Sequence, residues 1–378
     1  MCMKLRPKLF INSFLYKKWF AISSIIMFFL SCSDIISEVK SEETKRIYSR
    51  FNLHEILRLD TEDKRLIEKG LFDFHKFTVD AEGNIYILNI KNQGDMIFMV
   101  DQTGRVLRSF GKKGQGPGEL ENPAEIFLSP EGNLFVQETG NGKLTIFNKE
   151  GTLHELKKLS PEITLVSSLS NGNFLGLESI YGMDVKQWGL ALNYYDANFS
   201  KIKELDRLSF PNPVASKTVE ASPHVIVCHV SGNRIYSAYP ERGYEFLVFD
   251  LKGEFIRKIS VQAKRRNSLD LYKKIMERDY GDLIKFGIKL NYPKYALPFY
   301  SYFTDENGYL FVMTYEPGKA LGEYIYDIIS PEGKLINKVS LGPYFTHGNI
   351  MAKVFRNCLY LVKEKESGEK ELIVYRIY

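Results

Sequence analysis

This 378-residue chain is short of cysteine, of clustered histidine and of long apolar runs, and each shortage removes a class of protein. Of its four cysteines, Cys2 and Cys32 stand near the N-terminus, while Cys228 and Cys358 fall in separate strand-like segments, so no disulfide framework is visible. Cys228 and Cys358 are expected to be unpaired, buried thiols that act as small apolar residues. Neither is flanked by the cations or the helix start that would make a reactive thiolate. The six histidines, His54, His75, His154, His224, His229 and His347, never fall at a zinc-binding spacing within one segment. Neither a serine-nucleophile elbow nor a paired-carboxylate signature is present. The apolar run at residues 20–30 is too short to span a bilayer comfortably as a helix.

That run belongs to an export signal. Lys4, Arg6, Lys8, Lys17 and Lys18 precede it or stand just before it, and it ends in Leu30-Ser31-Cys32, which resembles a bacterial lipobox. In that reading residues 1–31 are removed, Cys32 is diacylated, and a two- or three-chain lipid holds the protein at a membrane. The alternative is an uncleaved N-terminal anchor that contains a cysteine. Removing residues 1–31 takes five basic residues and no acidic one from a formal charge of +5, which leaves 0. The mature surface thus gives no overall support for a nucleic-acid partner. Residues 32–50 alternate in sign and are read as a polar tether. Ser33 after the modified cysteine fits sorting to the outer membrane of a bacterial envelope.

What the chain has instead is repetition. The turns Ala81-Glu82-Gly83-Asn84, Pro130-Glu131-Gly132-Asn133, Ser170-Asn171-Gly172-Asn173, Val230-Ser231-Gly232-Asn233, Asp305-Glu306-Asn307-Gly308 and a degenerate Val354-Phe355-Arg356-Asn357 each lead into an apolar strand. A second turn type alternates with the first, as in Asp101-Gln102-Thr103-Gly104, Asn148-Lys149-Glu150-Gly151 and Ser330-Pro331-Glu332-Gly333. Acidic or amide side chains cap such turns while glycine supplies positive φ. Two turns per unit imply four antiparallel strands, and generic hairpins of a sandwich would not alternate in fixed order. Successive first turns lie 49, 40, 60, 76 and 49 residues apart, the spacing of propeller blades with insertions. The last unit, residues 349–378, holds only three strands. Residues 51–59 are expected to supply the fourth, closing a six-bladed ring over residues 51–378 and leaving no inner edge exposed.

The resemblance becomes specific at Phe110-Gly111-Lys112-Lys113-Gly114-Gln115-Gly116-Pro117-Gly118-Glu119-Leu120, followed by Pro123 and by Ile126-Phe127-Leu128-Ser129-Pro130-Glu131-Gly132-Asn133. This resembles the NHL-type repeat, and most of all the six-bladed β-propeller lipoproteins of bacteria. Only one joint keeps the Gly-Gln-Gly-Pro-Gly-Glu form. The segment is read as a blade-to-blade crossover; the weaker alternative, a phosphate cradle, lacks a following helix start. The resemblance also implies an axial site, because lyases and lactonases with such repeats place metal ligands there. His75, His224, His229 and His347 lie in or near innermost strands, with His75 expected to face His224 or His229 across the channel.

One segment, residues 262–289, does not fit a blade. It pairs many cations with Leu269, Tyr272, Ile275, Met276 and Tyr280 at helical spacing, and is expected to be an amphipathic helix inserted between blades four and five across one mouth of the ring. Lys273 and Arg278 on it, with Tyr292 and Tyr295 in the loop that follows, are candidate ligand-face residues; aromatic rings there could stack on a sugar. Three functions remain open. The first is a non-catalytic, lipid-anchored binding protein for a glycan, peptide or protein on one face, with no cofactor. The second is a lactonase-like or lyase-like enzyme with an axial divalent metal, and the weakest is a structural subunit that docks to an assembly through the inserted helix.

Overall fold

The computed structural model describes residues 43–45, 47–182, 186–262 and 269–378. The export signal, Cys32 and most of the expected tether lie outside them. Within them, six antiparallel four-stranded sheets succeed one another. Blade 1 is Lys76–Val79, Ile85–Leu88, Asp95–Val100 and Val106–Lys112; blade 2 is Pro123–Leu128, Leu134–Glu138, Lys143–Phe147 and Leu153–Lys158. Blade 3 is Ile163–Ser168, Phe174–Ile180, Gln187–Tyr195 and Lys201–Pro211; blade 4 is Val227–Ser231, Arg234–Ala238, Glu245–Asp250 and Phe255–Ser260. Blade 5 is Ser301–Thr304, Leu310–Pro317, Tyr324–Ile329 and Leu335–Leu341. Blade 6 takes Ala352–Phe355, Cys358–Glu364 and Lys370–Ile377 from the C-terminus and Leu53–Asp60 from the N-terminus. Leu53 pairs with Ile377 and Asp60 with Glu371, and Asn52 and Tyr378 exchange both backbone hydrogen bonds at 3.2 Å. The protein is a six-bladed β-propeller, closed by its N-terminal strand.

The repeated turns work as their chemistry requires. The Asp101 carboxylate accepts from the Thr103 and Arg105 amides at 2.9 and 3.0 Å, and Asp250 accepts from Lys252 and Glu254 at 2.9 and 2.8 Å. Asn148 and Asp196 repeat the arrangement. The side chain thereby copies a backbone turn and fixes each hairpin register locally. In the degenerate last turn Arg356 and Asn357 occupy the left-handed region themselves, at φ 50° and 56°. Asparagine tolerates that region better than most residues, which explains how the turn survives the loss of its glycine.

Apolar residues fill the spaces between blades. One cluster joins Ile97 and Met99 of blade 1 to Leu134 and Phe147 of blade 2, another joins Phe246 of blade 4 to Leu310 of blade 5, and a third joins Phe98 of blade 1 to Val362 of blade 6. A blade is therefore covered on both faces, and its second strand loses the polar alternation of a half-exposed sheet: Ile85–Leu88 is buried at all four positions. Cys228 and Cys358 are free and buried, and burial raises both thiols, Cys228 well above its ordinary range.

The folded part begins before residue 51. Residues 43–45 and 47–50 are helical, and Tyr48 is buried with its ring 4.9 Å from Tyr309 and 5.3 Å from Phe311 of blade 5. Its hydroxyl donates to Asp305 Oδ2 at 2.9 Å, and Asn337 Nδ2 donates to the Tyr48 carbonyl at 3.0 Å. The tether expected to reach residue 50 thus stops short of it. Burial raises the Asp305 carboxyl above its ordinary value, although the Tyr309 amide and the Tyr48 hydroxyl favour the ionised form. Tyr48→Phe would leave Oδ2 with only the Asn307 side-chain amide at 3.1 Å. The variant should lose about 1–2 kcal/mol in urea unfolding, the cost of an under-satisfied buried acceptor.

The crossover at residues 113–122 is structural. Glu119 folds back so that Oε2 accepts from the Gly116 amide at 2.9 Å, while Lys143 Nζ donates to the Glu119 carbonyl at 2.6 Å. Glu119 thereby occupies one backbone donor, that of Gly116, inside the loop. The insertion after blade 4 is more than one helix: it contains Leu269–Asp279, Gly281–Lys285 and the strand Lys289–Asn291. That strand pairs in parallel with Thr218–Glu220 from the preceding crossover. Tyr272, Ile275 and Met276 are buried at one-turn spacing, and Tyr272 packs edge-on at 4.7 Å against Tyr315 of blade 5. Among the described residues no helix is long and apolar enough to cross a membrane.

Candidate functional site

Strand direction gives the ring two distinct faces. Each inner strand starts where a crossover delivers it and ends at a tight turn, so crossovers collect on one face and first turns on the other. Blade 6 places Leu53 and Tyr378 at the turn face. Along the axis lie two cavities of about 470 and 250 Å³, which share Phe127, Val166, Cys228 and His229 as lining. His229 Nε2 lies 2.9 Å from the Tyr302 carbonyl, so Nε2 carries the proton and donates. Burial pushes its pKa down to about 4, and Lys353 across the channel adds to the effect. Burial also lowers the Lys353 ammonium.

The third cavity, about 370 Å³, is a cleft on the crossover face. Its first wall comes from blade 3, whose third and fourth strands run nine and eleven residues. This extra length carries Trp188 and Phe210 above the ring as a directly opposed cross-strand pair. Tyr181 packs edge-on against Trp188 at 5.1 Å. The second wall is the crossover at residues 212–226. Asn212 caps the helix Pro213–Ser216 by accepting from the Val214 amide at 2.9 Å, and Lys217 in the left-handed region at φ 54° ends it. Thr218–Glu220 then joins the insertion, and His224 turns back at φ 46°. Its ring stacks on Phe210 at 4.1 Å, with Nδ1 2.9 Å from Glu241 Oε1 and Nε2 3.0 Å from the Glu220 carbonyl. The third wall is the insertion, with Asp279, Tyr280, Asp282 and Leu283, and His347 reaches in from the hairpin of Phe345–Thr346 and Asn349–Ile350.

Polar atoms on these rings are engaged by the protein. Trp188 Nε1 donates to the Gly182 carbonyl at 3.0 Å and the Tyr280 hydroxyl to the Ser222 carbonyl at 2.7 Å. Asp279 is paired with Arg278 at 2.6 Å and accepts from the Tyr300 hydroxyl at 2.7 Å. Burial raises the Tyr280 hydroxyl far above its ordinary range, so this phenol stays neutral. The cleft therefore presents ring faces and edges, with Asp282 and His347 as its solvent-facing polar groups.

The sequence-derived candidates separate. His224 and His347 meet at the cleft, outside the channel. Only His229 stands in an inner strand and lines the channel. His75 precedes the inner strand of blade 1, where its amide donates to the Leu88 carbonyl at 2.9 Å; it lines none of the three cavities. Lys273 lies 5.5 Å over the Tyr292 ring, whose hydroxyl donates to Glu277 at 3.1 Å, and Lys294 covers Tyr295 at 5.5 Å. Arg278 packs 4.3 Å over Phe345. Trp188, Phe210 and Tyr181, which build the cleft, carry no motif in the sequence; the 60-residue period from Gly172 to Gly232 is their one trace. As for an axial metal, no three of His, Cys, Asp and Glu come together in a way that could hold an ion among the described residues. The described channel residues, with His229 alone among the histidines, do not fit a divalent ion.

Known structures share this architecture. A Bacteroides fragilis protein described as a candidate for export is 13% identical, with a TM-score of 0.53 over 87% of this chain and 95% of that one. A DUF4221-family member from Bacteroides vulgatus is 12% identical, with a TM-score of 0.51 over 87% and 98%. Virginiamycin B lyase from Staphylococcus aureus is 11% identical at a TM-score of 0.41, over 87% and 100%, and carries no functional argument. No curated protein matches the sequence. A family model does match, over residues 30–240, more than half of the chain, and its description agrees with the ring seen here: this chain belongs to DUF5128, the 6-bladed beta-propeller family.

Proposed function

We propose that this propeller is a lipid-anchored, non-catalytic binding protein of a bacterial envelope, which takes a glycan, peptide or protein partner in the cleft on its crossover face. The observation that carries this reading is the cleft itself: about 370 Å³, lined by Tyr181, Trp188, Phe210, His224 and Tyr280, of the size and aromatic content of ligand sites. Two of its candidate catalytic groups are engaged by the protein, since His224 Nε2 faces the Glu220 carbonyl and Asp279 is held by Arg278. The geometry of the chain ends supports the anchor. The N-terminal helix meets blade 5 at Asp305, on the turn face, so a tether leaving from there would present the cleft away from the membrane. The Bacteroides fragilis relative described as a candidate for export supports an envelope location.

The test uses Trp188 as reporter. The sequence holds two tryptophans, Trp19 in the signal and Trp188 in the cleft, so a Trp19→Phe full chain in detergent reports on the cleft alone. Glycan and peptide panels should include ligands that shift its emission saturably. Tyr181→Ala, at a half-exposed ring that little else depends on, should weaken them by about tenfold. Saturable binding that leaves Trp188 emission and the Tyr181 variant unaffected would move the site elsewhere. Recovery of the chain in the aqueous phase with Cys32 unmodified, by mass spectrometry, would remove the lipid anchor.

A further inference from the structure

We infer that the cleft takes a positively charged side chain, lysine or arginine, presented by a polypeptide partner; the inference rests on the binding reading above and names its ligand. Charge is the first argument. Two aspartates, Asp279 and Asp282, line the cleft, and among the described residues no lysine or arginine does. Aromatic faces carry negative electrostatic potential, so rings and carboxylates act in the same direction on a cation placed between them. Asp279 already has Arg278, whereas Asp282 has Lys285, 2.9 Å away with both side chains largely exposed, and the imidazole of His347 near it. Such a surface pair at one-turn spacing contributes little, so Asp282 can exchange Lys285 for an incoming cation at small cost.

Hydrogen bonding is the second argument, and it separates a cation from a sugar. A pyranose brings several hydroxyls, each of which costs about 1–3 kcal/mol if buried without a partner. The Trp188 indole, the Tyr280 hydroxyl and His224 Nε2 already face protein carbonyls, so fewer partners remain for those hydroxyls. An alkylammonium or guanidinium group needs only ring faces for its apolar stem and one carboxylate for its head. The surroundings favour a polypeptide over a small free cation. Val214 and Ile284 directly follow cleft residues in sequence, Phe286 lies three residues beyond Leu283, and all three are exposed, Phe286 by 83%, which provides apolar surface for residues flanking the basic side chain.

The Trp19→Phe full chain would be titrated with three capped tripeptides, Leu-Lys-Leu, its Nε-acetylated form and Leu-norleucine-Leu, and with a panel of disaccharides. The lysine peptide should shift Trp188 emission saturably, and acetylation, which removes the charge and keeps the stem, should weaken it about tenfold. Asp282→Asn, at an exposed position, should weaken the lysine peptide about three- to fivefold and leave the acetylated one unchanged. Equal binding of the acetylated or norleucine peptide, or preference for a disaccharide, would overturn the charge inference while the cleft remained a binding site. If no probe shifts Trp188 emission while a partner is captured by the Tyr181→Ala chain as well as by the unmodified one, both readings fall together.

Discussion

A chain that starts at residue 61, without the strand Leu53–Asp60 and the helix before it, should lose cooperative unfolding near room temperature. The removed segment covers the open edge of Lys370–Ile377 through register pairs from Leu53 with Ile377 to Asp60 with Glu371. It also removes buried Leu59 and buried Tyr48, and with Tyr48 the donor that satisfies Asp305. Truncating an aromatic core residue alone costs about 3–5 kcal/mol. Adding the exposed edge and the orphaned carboxylate brings the loss to the order of the 5–15 kcal/mol net stability of a whole domain. Near-ultraviolet circular dichroism and limited proteolysis should show blade 6 and its neighbours loosened first, with cleavage inside residues 352–378. A synthetic peptide of residues 43–60 added in trans should restore protection at micromolar concentrations, because the rest of the ring is intact and only the closing strand is missing. An unaltered melting transition in the truncated chain would mean that the ring does not depend on its closure.

The ring was legible because its signals are local. An aspartate or asparagine two and four residues ahead of the amides it accepts, with glycine at the left-handed position, sets one hairpin without help from the rest of the chain. Repeating the pair of turns counts the strands, and a three-stranded last unit points to the N-terminus for its fourth. The cleft was not legible, because it depends on distances that no local pattern encodes. Trp188 and Phe210 meet through the register of two long strands, and Thr218–Glu220 meets Lys289–Asn291 across about 70 intervening residues. The histidines show the same limit. His224 and His229 are five apart, yet the left-handed backbone at His224 sends one ring to Phe210 while strand geometry sends the other to the axis. Tyr292 and Tyr295, the loop aromatics that follow the insertion, each have a lysine ammonium 5.5 Å from the ring centre, Lys273 and Lys294 respectively, and stand apart from the cleft.

His229 should make the protein acid-sensitive in a defined window. Its folded-state pKa is pushed down to about 4 by burial, against 6.5 for an ordinary histidine. Between these values the unfolded chain binds a proton that the folded chain excludes, so stability rises with pH and is lost as pH falls from 6.5 towards 4. A full shift of this size would correspond to about 3 kcal/mol, at 1.36 kcal/mol per unit. Because His229 is only half-buried in the wall of an axial cavity, about 1–3 kcal/mol is the expected range. Burial decides the sign, and the groups facing the ring modify it, the Tyr302 carbonyl favouring the protonated form and Lys353 disfavouring it. The Tyr302 carbonyl accepts from Nε2 in either state, and Cys228 beside it stays a neutral thiol. His229→Gln keeps a side chain able to donate to the Tyr302 carbonyl and cannot be protonated. Its urea-unfolding free energy should fall less steeply than that of the parent between pH 6.5 and 4, by the same 1–3 kcal/mol. Parallel pH profiles for the two proteins would show that the channel hydrates His229 enough to cancel the shift, and the axial cavities would then be open to solvent at the level of Phe127 and Val166.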